Sequence, residues 1–124
     1  MEKIAQRTFH AHVYFEEAEQ QVAESLRAQI RVFFRFPIGH LHLKAVGPHP
    51  KPMFQVTFTA DDLNAFLPWL MDHHGPLSVL IHPFSDEHEL DHSVRALWLG
   101  DKLEINLECF ARFGARQQLQ AAAV

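Results

Sequence analysis

A chain of 124 residues, 48 % apolar and 21 % charged, is long enough for one domain with a real core and too apolar to be disordered. Its formal charge of −4, with 11 dispersed Lys and Arg, excludes the basic footprint of a nucleic-acid binder. The single cysteine, Cys109, excludes an internal disulfide, and no apolar run approaches the ~20 residues of a membrane-spanning helix.

Residues 1–7 carry no signal-like apolar run, so a cytoplasmic protein is expected. Residues 8–15 alternate as a strand, with Phe9, Ala11, Val13 and Phe15 on one face and His10, His12 and Tyr14 on the other. Residues 16–34 carry Ala18, Val22, Leu26, Ile30 and Phe33 at helical spacing, behind an acidic first turn of Glu16, Glu17 and Glu19. A second strand is expected over 40–46 and a third over 53–59, separated by the Gly47-Pro48-His49-Pro50 loop. Asp61 or Asp62 caps a second helix running to His73, which Pro68 should kink or split. A fourth strand covers 78–82. Residues 95–99 and 103–107 read as a hairpin about Gly100-Asp101, and the tail after Gly114 as a fraying helix.

This order predicts an α+β protein with a ferredoxin-like split βαβ sandwich and an added C-terminal β-hairpin. One domain is expected over 1–124, with its core at about 8–110 and a tail over 111–124. Right-handed crossovers are expected to make the first and third strands parallel neighbours, with both helices on one face of the sheet.

The chain has ten histidines, and His10, His12, His40, His42 and His82 fall on the other face. Imidazole binds divalent metals and titrates near neutrality, so a strand face built of it is a candidate site. On the predicted topology His10, His12, His49 and His82 share one end of the sheet, and three of them suit an open-coordination metal site. Alternate residues of a strand stand roughly 7 Å apart, so His10 and His12 are not expected to hold the same ion. His40, His73, His74 and His88 read as ordinary polar or capping residues, and His42 as a solvated strand residue. His92 reads as a base beside the site or as a loop residue. Glu104 and Glu108 are expected to be solvated, and Cys109 to be a small core residue.

Four segments together resemble the DOPA 4,5-dioxygenase family of fungal-type and bacterial extradiol dioxygenase-like proteins. They are His10-Ala11-His12-Val13-Tyr14-Phe15, Val46-Gly47-Pro48-His49-Pro50, Leu77-Ser78-Val79-Leu80-Ile81-His82-Pro83, and the stretch from Asp91-His92-Ser93 through Trp98-Leu99-Gly100. The resemblance spans about residues 8–110. It implies a ferredoxin-like fold, often dimeric, and metal-dependent opening of a catechol ring with dioxygen. His12, His49, His82 and His92 match the family's histidine motifs.

The expected ion ligands are His12, His49 and His82, with Fe2+ as cofactor and Zn2+ or another divalent ion able to replace it. The usual non-haem iron set is two His and one carboxylate, whereas this chain offers three His more readily. His10 or His92 is expected to take a catechol proton, and Tyr14 to orient the ring or a bound oxygen. The expected partners are a small aromatic substrate such as a catechol, dioxygen and a second copy of the chain, with no nucleic acid and no membrane. The alternatives are a metal- or small-molecule-binding ferredoxin-like protein without ring-cleaving activity, and a dimeric ligand-binding module whose histidines are surface polar groups.

Overall fold

The computed structural model describes residues 4–111. In chain order its elements are β1 (Thr8–Tyr14), α1 (Gln20–Phe33), β2 (Met53–Thr59), α2 (Leu63–His73), β3 (Ser78–Pro83), the single-turn α3 (His88–Asp91) and β4 (Leu97–Leu99). Short 3-10 turns, Glu17–Glu19 and Ala60–Asp62, lead into α1 and α2. Their first backbone N–H groups are met by acidic side chains three residues on. Glu16 N–H donates to Glu19 Oε1, and Thr59 N–H donates to Asp62 Oδ2. Asp62 holds the N-cap position of α2, as expected, and also reaches back to Thr59, which caps the 3-10 turn before it.

The sheet order is β2-β1-β3-β4, and every neighbouring pair is antiparallel. This is an α+β, ferredoxin-like arrangement, but β1 and β2, the expected first and third strands, are antiparallel and not parallel. The crossover rule explains the difference. It constrains β1 and the segment that follows α1, and β2 is inserted between those two.

That segment is the expected second strand over 40–46, and it is reduced to two isolated bridges, Ile38 with Val56 and His42 with Met53. Between the bridges the segment advances four residues while β2 retreats three, so one extra residue bulges out. Pro37 offers only its carbonyl to the pairing, to Thr57 N–H, and the paired stretch begins there, earlier than the alternation suggests. Leu43 is left 59 % exposed as a result.

One face of the sheet meets the helices. Ala11, Val13, Phe15, Phe54, Val56, Phe58, Val79 and Ile81 pack there against Ala23, Leu26 and Ile30 of α1 and Phe66 and Leu70 of α2. The stripe on α1 is rotated from the expected one, since Val22 and Phe33 are exposed. α2 runs unbroken through Pro68, which is exposed.

The second face is covered too. Tyr14, Met53 and Leu80 form a smaller buried cluster there, under Val46, Ala96, Trp98, Leu103 and Ile105. The expected second hairpin arm makes this cover. After the turn at Gly100 (φ 71°), residues 103–107 do not pair as a strand but cross the face, tied by Asn106 N–H donating to Pro48 O. The expected helical tail beyond Gly114 lies outside the described residues. No helix among the described residues is long and apolar enough to cross a membrane.

Candidate metal centre

Strand alternation puts His10, His12 and Tyr14 on the covered face of β1. The register places His82 of β3 directly opposite His10. His49 arrives from the loop before β2, where His49 N–H donates to Val46 O in a turn. With β1 and β2 antiparallel, this loop lies near the Tyr14 end of β1. It folds back over the face to reach the others. His92 closes α3 at its C-terminus.

All six side chains are buried, with His12 and His82 each 1 % exposed and His92 the most open at 9 %. His12 is the hub. Its ring centroid lies 4.2 Å from that of His49, 5.0 Å from His82, 5.9 Å from His10 and 6.1 Å from His92. Donor atoms close to within 4.8 Å of one another in two trios, His10-His12-His82 and His12-His49-His92. His49 and His82 fall in different trios, so the three expected ligands do not share one point in this arrangement. His10 and His12 do share one, because their side chains lean together despite the spacing of their backbones.

Hydrogen bonds define which nitrogens remain available. His82 Nδ1–H donates to Pro83 O at 2.7 Å, and His92 Nδ1–H donates to His88 O at 2.7 Å. A backbone oxygen only accepts, so both rings keep the proton on Nδ1 and present a bare Nε2 when neutral. Tyr14 Oη and His49 Nδ1 are 2.7 Å apart. Bonds of this kind, to the nitrogen away from the ion, commonly orient metal-binding histidines.

Burial keeps the imidazoles neutral. It is the largest cause pushing His10 down to about 4, His49 to about 3 and His82 to about 2, and neighbouring imidazoles, His92 first, add to it. His12 and His92 are lowered for the same reason. Burial raises the Tyr14 phenol, so it stays protonated.

Protons alone do not satisfy this cluster. His12 Nε2 lies 3.0 Å from His82 Nε2, which is bare. If His12 carries its proton on Nε2 to bridge that gap, its Nδ1 is left a buried acceptor with no partner. If it carries the proton on Nδ1, two lone pairs face each other and a buried donor is orphaned. Either way a mismatch of roughly 1–3 kcal/mol remains. A cation between imidazole lone pairs removes the Nε2 conflict, so the residues fit a divalent ion. The other orphaned atom among the described residues is Oε1 of Gln55, opposite His12 on β2.

The remaining expectations sort by position. His40 and His42 face each other at 4.2 Å near the sheet edge, outside the cluster. His73 and His74 bond carbonyls of Trp69 and Leu77 at the end of α2. His88, expected as an ordinary polar or capping residue, is buried at 5 % exposure, with its ring near Phe84 and Phe110 at 5.7 and 6.0 Å, and its carbonyl accepts from His92. Glu104 and Glu108 are exposed, as expected, and Cys109 is half-buried.

Sequence reasoning missed Asp91. Fully buried, it accepts from Ser85 N–H and Ser85 Oγ–H at 2.8 Å and from Arg95 at 3.1 Å, fixing the turn that delivers His92. Its four-residue spacing from Arg95 was the available signal. A cleft of about 470 Å³ opens beside the cluster, lined by His92, Trp98, Leu103 and Ile105 among others. Trp98 stacks on Tyr14 with centroids 5.8 Å apart, linking cleft and cluster.

Comparison with known proteins agrees with this picture. The model of the Dopa 4,5-dioxygenase family matches residues 9–109. An uncharacterised 21.2 kDa protein of Botryotinia fuckeliana is 36 % identical over 116 residues, which are 84 % of this chain and 63 % of that protein. The DOPA 4,5-dioxygenase of Amanita muscaria is 30 % identical over 110 residues, 82 % of this chain and 48 % of that protein. This chain thus spans less than two thirds of either relative. The crystal structure of a "putative dioxygenase" from Nostoc punctiforme superposes with a TM-score of 0.85 at 37 % identity, covering 92 % of this chain and 99 % of the other.

Proposed function

This chain belongs to the Dopa 4,5-dioxygenase family, and from that membership we propose that it is a metal-dependent, extradiol-type dioxygenase opening a catechol ring. The observation that carries the reading is the buried trio His12, His49 and His92, whose donor atoms lie within 4.8 Å of one another and whose His12 Nδ1 has no hydrogen-bond partner. His12, His49 and His92 form the trio that includes the cleft-lining histidine, and we assign the working ion to them. A ferrous ion held there would supply open coordination positions for the catechol and dioxygen, while the electrons that reduce dioxygen come from the catechol, whose ring carbon–carbon bond is broken.

The chain's own residues do the rest. Trp98, Leu103 and Ile105 give the cleft apolar walls suited to an aromatic ring. His82 touches both His12 and His92, with a ring centroid 4.1 Å from that of His92; it does not line the cleft, but its Nε2 lies beside the ion site, and we assign it the proton of a catechol bound at that ion. The roles expected of His82 and His92 are therefore exchanged in this proposal, and His10 lies behind His82, away from the cleft. When His49 offers Nε2 to the ion, its Nδ1–H donates to Tyr14, which leaves the Tyr14 hydroxyl proton for a substrate oxygen. The proposal includes a homodimer, because Leu90, Val94 and Leu97 lie exposed around α3 and the start of β4.

Anaerobic loading with Fe2+ followed by a screen of catechols tests the reading. Oxygen uptake and a yellow ring-opened product are expected. His82→Ala should keep one ion per chain and lower turnover by ~10²–10⁴-fold, the usual worth of an acid–base group. A wild-type protein that binds no divalent ion, or that takes up no oxygen with any catechol, overturns the proposal.

A further inference from the structure

We propose that the histidine pocket contains a second cation seat, formed by His10, His12 and His82, alternative to the cleft-side seat of His12, His49 and His92. This rests on the reading that the pocket binds a divalent ion. The donor atoms of the three residues lie within 4.8 Å of one another and all three side chains are buried. His10 and His82 are direct cross-strand partners between β1 and β3, which holds their side chains on one face at a fixed separation. The His10 ring is fixed on both sides, stacked on Phe84 at 4.9 Å and edge-on to His82 at 5.3 Å. No ring nitrogen of His10 has a hydrogen-bond partner among the described residues. His82 is held by its bond to Pro83 O, with Nε2 bare toward His12.

The donor set selects the cation. Three imidazoles and no carboxylate suit zinc, cobalt, nickel or ferrous ion, and not calcium or magnesium, which take oxygen ligands. The two seats exclude each other. They share His12, and two divalent ions flanking one imidazole would place four positive charges in a buried pocket with no carboxylate donor in either trio.

Occupancy has a consequence for the proposed activity. None of His10, His12 and His82 lines the cleft, whereas His92 of the other trio does. An ion in the second seat also engages the His82 nitrogen assigned to proton transfer and removes His12 from the cleft side. It is a resting seat, away from substrate, so an excess of a tightly held ion such as zinc should silence the chain without leaving it.

Co2+ titration of the whole chain tests this, read by its visible d–d absorption and by equilibrium dialysis. Wild type is expected to bind one ion. The double variant His49→Gln/His92→Gln should still bind one, with a changed spectrum. Adding His10→Ala to that background should weaken binding by at least ~10²-fold, beyond the usual effect of losing an outer contact. His10→Ala alone should keep one ion with an undisturbed cleft-side spectrum. Far-UV circular dichroism checks the fold. If the double variant does not fold, His92→Gln with and without His10→Ala makes the same comparison. Two ions on wild type, or Co2+ lost from a folded His49→Gln/His92→Gln protein, overturns the second seat. No ion on wild type overturns the metal reading itself.

Discussion

Tyr14 holds together three features of this protein. It sits on β1, its ring stacks on Trp98 at the cleft, and its hydroxyl meets His49 Nδ1. Tyr14→Phe keeps the stacking and removes only the hydroxyl. It should lower affinity for Zn2+ by ~10–100-fold, as the loss of an orienting contact does, when measured by competition with a chelator. An unchanged affinity would show that His49 needs no such partner. The protonation of the cluster makes a second expectation. His10, His49 and His82 titrate at about 4, 3 and 2 in the folded protein, against ~6.5 for a free imidazole. Above about pH 6.5 they are neutral in both folded and unfolded chains and contribute no pH dependence. Below it the unfolded chain takes up protons that the folded chain refuses, so stability falls as pH falls. The loss continues down to about pH 4 for His10 and lower for the other two. The melting temperature of the metal-free protein should therefore hold steady from pH 8 to 7 and drop between pH 6.5 and 5. A flat profile through pH 5 would mean that the histidines are not buried as described.

At the scale of elements, α2 carries an unused reserve of stability. Pro68 lies inside the Leu63–His73 helix without distorting it, yet it leaves the Asn64 carbonyl without an intrahelical partner. Pro68 is exposed, so Pro68→Ala restores that bond without opening a cavity. The unfolded chain gains some freedom in exchange, worth roughly 0.4–1 kcal/mol. A net stabilisation of about 1–2 kcal/mol is expected from urea denaturation, within the ~3 kcal/mol cost of an interior proline. A loss of stability would mean that the ring packs usefully where it stands. α3 shows the opposite economy. It is one turn long, and it is held in place by Asp91 and its contacts to Ser85 and Arg95.

For the whole molecule, the second face of the sheet is what distinguishes this fold from a plain open sandwich. Residues 103–107 and the loop around Pro48 close over it and make the site a pocket. At the β4 edge of the sheet, Val94 is 83 % and Leu97 45 % exposed. Association of two copies through this region should bury more than roughly 1,000 Å² in total. Light scattering at micromolar concentration is expected to give the mass of a dimer. Val94→Asp together with Leu97→Asp should shift it to monomer, and a wild-type monomer would remove the dimer from the proposal.

The sequence by itself determined the elements whose reasons are local. Alternation along 8–15, 53–59 and 78–82 placed three strands, and helical spacing placed α1 and α2, because side-chain direction follows from backbone geometry alone. It also determined the residue types of the site. His10, His12, Tyr14, His49, His82 and His92 were all singled out from their strand faces and motifs, and all six are buried together. What only the tertiary structure decided is relative placement. The antiparallel β1–β2 pair follows from the split βαβ order once the crossover rule is applied to β1 and the segment after α1, but the bulge near Pro37 was not legible, because local alternation carries no sign of it. Nor was the course of residues 103–107, whose Leu103 and Ile105 alternate like a strand but satisfy a different surface. The grouping of ligands follows from those placements. Which imidazoles converge depends on how a loop folds over a sheet, at distances of a few ångströms that no spacing along the chain encodes.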